Sequence, residues 1–178
     1  MSINEIPSDY LTALGKISIN HNNLEFSIIY CIKCLIRKRY DETLCLIAGE
    51  NFDILLKKLT RLMNYYIKTD SLLKQYEQLK TSINNLNEKK THCLHAIWKI
   101  DDDQNVTFFK HSKRFDTKFT FNPTIVKLET LNEIGNELLT IADQLIFFIS
   151  ENIDKIHIEY DRWLEEDDQK IIYPKEKK

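Results

Sequence analysis

Between Tyr10 and Leu35 the chain reads YLTALGKISINHNNLEFSIIYCIKCL, and the spacing of its apolar residues decides the fold. Tyr10, Leu14, Ile17, His21, Leu24, Ile28, Cys31 and Leu35 follow one another at alternating steps of four and three. Residues so spaced fall on one side of a helix of about 3.6 residues per turn, so the stretch predicts a single amphipathic helix. Pro7-Ser8-Asp9 supplies capping chemistry at its start. The basic run Arg37-Lys38-Arg39 suits the negative end of the helix dipole.

Working outward, the same logic predicts the rest. A short piece around Leu44 to Ala48 stops at Gly49, and Asn51 caps a helix carrying Phe52, Leu55, Leu56, Leu59, Met63 and Tyr66. Asp70 and Ser71 start a third main helix striped by Leu72, Tyr76, Leu79, Ile83, Leu86, Lys90, Cys93 and Ile97, and Asp101-Asp102-Asp103 ends it. Lys90 stands where this stripe asks for an apolar residue. An unpaired buried ammonium is costly, so its amine is expected to approach Glu25 or another acid near the helix. Val106 to Lys110 and Lys118 to Phe121 have the β-branched and aromatic content of two short strands joined by a basic loop. Asn122-Pro123 reads as an N-cap and first helical position. The last helix then carries Ile125, Leu128, Leu131, Gly135, Leu138, Ala142, Leu145 and Ile149, and extends towards Leu164.

The expected fold is therefore all-α: an antiparallel bundle of about four long helices with a short β-hairpin insertion around residues 105–121. Composition agrees, because three glycines and three prolines in 178 residues cannot supply the frequent turns of a sandwich or barrel. One domain spanning 1–178 is expected, with a disordered tail over 173–178. The net charge of −2 gives no global pull towards nucleic acid or anionic membrane, so such binding must come from a local patch. No signal-peptide pattern or membrane-spanning apolar run is present, which points to a cytoplasmic protein that does not engage membranes. In that reducing setting Cys31, Cys34, Cys45 and Cys93 are expected to be free thiols. Cys31 and Cys34 have CxxC spacing, yet nothing completes a zinc site, and Cys31 fits the core stripe; no metal or cofactor is expected.

His21 occupies a stripe position with Glu25 one turn later, either as a carboxylate-oriented imidazole or as a hydrogen-bonded core histidine. The strongest chemical signal is Glu88-Lys89-Lys90-Thr91-His92-Cys93-Leu94-His95-Ala96-Ile97-Trp98. On a helix, Glu88, Thr91, His92, His95 and Lys99 share one edge turned away from the core, with the ring of Trp98 exposed beside it. Histidines near neutral pKa, a hydroxyl and cations are the groups that cut RNA without metal, by moving the 2′-hydroxyl proton and steadying the phosphate. The plainer reading is a polar helix face. The loop Lys110, His111, Ser112, Lys113, Arg114, followed by Lys118 and interleaved with Phe108, Phe109, Phe115 and Phe119, suits phosphate pairing and base stacking, or equally a solvated hairpin tip.

The motif stretch resembles the HEPN superfamily, helical bundles marked by an arginine, a polar residue and, four to six residues on, a histidine. Lys90 stands in the arginine's place, Thr91 in that of the usual asparagine, and His95 matches the histidine. Leu14-Gly15-Lys16-Ile17 with Leu24-Glu25, and Ala48-Gly49 with Phe52, resemble the wider frame of uncharacterised bacterial HEPN-like proteins. The resemblance implies a homodimer whose motif helices form one composite site, and a metal-independent endoribonuclease of toxin–antitoxin or phage-defence type, with RNA and an antitoxin or defence protein as partners. On that reading Lys90 steadies the phosphate and His95 is the general acid or base, supported by Thr91 and His92, and helix spacing adds Glu25, His21 and Glu88 as further supporting candidates. Lysine lacks arginine's planar fork, and threonine lacks the amide. The alternative is therefore a catalytically inactive HEPN-like module that binds a partner protein or RNA.

Overall fold

The computed structural model describes residues 5–109 and 124–172. In chain order the elements are α1 (Ser8–Leu35), α2 (Tyr40–Ile47), α3 (Phe52–Tyr66), α4 (Asp70–Leu94), β1 (Ile97–Ile100), β2 (Val106–Phe109), β3 (Thr124–Ile125) and α5 (Leu128–Ile172). The described chain is an all-α helical bundle with a short β insertion, as its periodicity predicts. In α1, Ile17, His21, Leu24, Ile28, Cys31 and Leu35 are all buried, and Arg37, at φ 54°, breaks the helix in the left-handed region. Asn51 caps α3 as expected, its side chain accepting from the Ile54 N–H at 3.1 Å. Gly49 stops the chain after α2 at φ 76°, a conformation that disfavours any side chain.

Three boundaries differ from the sequence reading. α2 begins at Tyr40, four residues earlier than the piece around Leu44. α4 ends at Leu94, not at the aspartates, because Ile97–Ile100 pairs antiparallel with Val106–Phe109. Trp98 is half-buried rather than exposed: its indole N–H donates to the Cys93 carbonyl at 2.9 Å, serving one of the orphan acceptors at the helix end. Asp101 therefore turns a hairpin instead of closing a helix. Its Oδ1 accepts from the N–H groups of Asp103 (3.0 Å) and Asn105 (2.8 Å), and Gln104 takes φ 63°. At the far end, residues 124–125 form β3, paired with Thr107 and Phe108. The Val126 N–H then donates to the Val106 carbonyl (3.0 Å), and α5 starts only at Leu128. The expected strand Lys118 to Phe121, the cap Asn122-Pro123 and the tail 173–178 lie outside the described residues.

The chain divides into two compact units. The first comprises the described residues up to Leu24 together with those of Thr81–Ala142. Its core is Ala13, Ile17, Leu24, Ile83, Leu86, Leu131 and Leu138. A Cβ at Gly135 would lie 3.4 Å from the Lys16 side chain, and that close approach lets the buried Asn20 amide donate to the Gly135 carbonyl at 2.7 Å. The second comprises Glu25–Lys80 and the described part of Asp143–Lys178. Ile28, Leu35, Leu55, Leu59, Met63 and Leu145 fill it around Tyr76, which is fully buried. Cys31 is buried in the same core, where desolvation pushes its thiol well above the ordinary range.

Candidate functional site

The motif residues lie in the first unit, at the C-terminal end of α4 and the turn after it. Their positions separate them. Lys90 lies on the stripe facing the core and is half-buried, whereas Thr91 is exposed. His95 falls one residue past the helix, is exposed, and keeps a last-turn bond from its N–H to the Thr91 carbonyl (3.2 Å). Lys90 and His95 therefore differ in exposure, the one on the buried side of α4 and the other in the turn that follows it. Lys99, expected on the same helical edge, is on β1 instead. Glu88 is exposed and approaches His92 at 3.8 Å, a loose i,i+4 contact.

His21 is buried (7 % exposed), with Nε2 3.2 Å from the Asn87 side-chain oxygen. It matches the core-histidine reading, its imidazole satisfied by an amide on the facing helix. Glu25, half-buried, belongs to the second unit. Lys110, Lys113, Arg114 and Lys118, the expected RNA contacts, lie outside the described residues. Of their interleaved aromatics Phe108 is half-buried, its ring centroid 5.5 Å from that of Trp98.

A feature the sequence did not single out is a cleft of about 410 Å³ between the end of α4, the sheet and the start of α5. Its described walls include Cys93, Phe108, Val126 and Leu131, with Lys89, His92 and Lys127 among the polar lining and no carboxylate. Lys89 bonds Glu137 at 3.0 Å, an exposed pair of little net worth. Lys89 and Lys127 thus stand on the lining of one cleft in a chain whose net charge is −2. Lys89, His92 and Cys93 share a few positions of α4, but Phe108 comes from the sheet and Val126, Lys127 and Leu131 from more than 30 residues further along, which no local motif records. Among the described residues no group of three or more potential metal ligands occurs, and no helix is long and apolar enough to cross a membrane.

Comparison with family models, curated proteins and solved structures finds no match to this chain.

Proposed function

We propose that the chain is a HEPN-like module that pairs with a second copy of itself and binds RNA without cutting it. The observation that carries the pairing is one face of α1. Leu11 and Ile19 are 55 % and 62 % exposed there, with exposed Gly15, Ser18 and Asn22 beside them. Lys16, the sole lysine, arginine or carboxylate between Leu11 and Asn22, turns aside and bonds the Asn136 oxygen at 2.7 Å. A solvated face normally carries charge. Gly15 adds to the case: a mid-helix glycine costs about 1 kcal/mol against alanine, yet a Cβ there would meet nothing within 4 Å in this chain. A second helix crossing at Gly15 would explain both the glycine and the missing charge.

Binding is favoured over cleavage because Lys90 and Thr91 replace the family's arginine and asparagine, which removes the planar phosphate-binding fork and the amide. In this reading the cations of the cleft and the basic segment Lys110, Lys113, Arg114 and Lys118 contact phosphates. Incubating the protein with total RNA in EDTA tests it. Intact RNA, retarded in a native gel and released as salt rises, is the expected result. Products ending in 2′,3′-cyclic phosphate, or no retardation at all, would contradict it.

A second reading has its own observation. Thr91 and His95 are exposed together one turn apart, so a partner protomer can present a cation to them. That composite site is the metal-independent endoribonuclease, and it requires His95→Ala to abolish cutting with the fold intact, a loss of at least about a hundredfold.

A further inference from the structure

Far along the chain from the motif, in the second unit, one lysine is surrounded by rings. The Nζ of Lys68, in the short connection between α3 and α4, lies 3.8 Å from the ring centroid of Trp163. It lies 5.5 Å from the rings of Tyr65 and of Tyr160. The rings hold one another: Tyr160 and Trp163 stack with centroids 6.0 Å apart, and the centroids of Tyr65 and Tyr160 are 5.3 Å apart. The Tyr160 hydroxyl donates to that of Tyr65 at 2.7 Å, which ties the two rings together. Tyr66 backs the group, its ring 4.6 Å from that of Tyr160.

Three faces converging on one ammonium make an aromatic cage, whose attraction is the electrostatic pull of ring quadrupoles on a cation. Lys68 reports what the cage accepts. It is also a weak occupant: its residue is exposed, and its amine, a compact and strongly hydrated charge, gives up hydration to enter. A quaternary ammonium carries the same charge on a bulkier, poorly hydrated surface, so it loses less water and fills more of the rings.

We infer that Tyr65, Tyr160 and Trp163 form a binding site for quaternary or methylated ammonium groups, with Lys68 as a built-in competitor that a ligand displaces. The site is independent of the RNA-binding reading. It is a free small molecule of the choline type or a methylated lysine of a peptide that supplies such a group, and the shared chemistry is the methylated cation.

The two tryptophans give two indole N–H signals in a proton–nitrogen spectrum, and Trp98→Phe assigns them. Choline chloride and a glycine–trimethyl-lysine–glycine tripeptide are titrated into the parent protein and into Lys68→Ala, with sodium chloride at matched ionic strength. The Trp163 signal is expected to shift saturably with one or both probes. Lys68→Ala should bind about fivefold or more tightly than the parent, because the competitor is gone. The tighter probe identifies the source. The uncharged isostere 3,3-dimethylbutanol and the unmethylated tripeptide should leave the signal in place. Lys68→Gln, which also removes the charge, repeats the measurement should alanine disturb the loop. No saturable shift in either folded variant, equal response to the uncharged isostere, or binding to Trp163→Leu as tight as to the parent when both are measured by isothermal titration calorimetry would overturn the assignment.

Discussion

Tyr76 illustrates how a single residue sets local energetics. It is fully buried, its hydroxyl 2.8 Å from the Thr60 Oγ1, and desolvation pushes its ionisation well above the ordinary tyrosine range. Tyr76→Phe removes the hydroxyl, while Thr60 keeps its bond to the Leu56 carbonyl. The expected cost is about 1 kcal/mol, read from denaturant melts, and a neutral change would mean the pair adds nothing. His157 gives a pH dependence. Burial, and then the Arg37 guanidinium, hold its imidazole below the ordinary value of 6.5. The unfolded chain therefore binds this proton more readily than the folded one. The stability His157 confers is present above pH 6.5 and is lost as pH falls through that value towards the lower folded-state one. Melting temperatures should drop across that window, and His157→Gln should flatten the drop. An unchanged slope in the variant would mean that other groups titrate there.

Elements were legible in the sequence wherever a long stripe buried one face. The α1 stripe, the Asn51 cap and the start of α4 at Asp70 follow from spacing and capping chemistry alone. The end of α4 did not. Ile97 sits four residues after Cys93 and so continues the helical count, but it is 57 % exposed on β1. Four-residue and two-residue strands are too short to show alternation, and no glycine or proline marks the turn at His95-Ala96. Likewise Thr124–Ile125 pairs with β2 because a partner strand is there, a tertiary choice that local cap chemistry does not report. The candidate site was legible only in part: spacing put Thr91 and His95 at the surface and Lys90 on the core side, while the cleft and the cage join residues far apart in the chain. The β1–β2 turn carries its own prediction. Gln104 sits at φ 63°, where glycine pays no steric penalty, so Gln104→Gly should stabilise the protein by about 0.5–1 kcal/mol. A loss of stability would show that the glutamine side chain holds the turn.

For the whole molecule the question is whether α1 is a surface or an interface. A free face predicts that Gly15→Ala simply strengthens the helix, by up to about 1 kcal/mol. A helix crossing at Gly15 predicts instead that the added methyl pushes the partner away and weakens association even as it favours the helix. The two outcomes separate when melts are recorded at low and high protein concentration, since only an assembled protein shows a concentration-dependent melting temperature. The most direct measurement is sedimentation equilibrium of the parent and of Ile19→Glu at tens of micromolar. Ile19 is 62 % exposed, so a glutamate there is harmless to a monomer and unfavourable in a buried apolar contact. Pairing through α1 predicts twice the chain mass for the parent and the single-chain mass for Ile19→Glu, with circular dichroism unchanged. A monomeric parent, or an Ile19→Glu variant that remains a dimer, would contradict it.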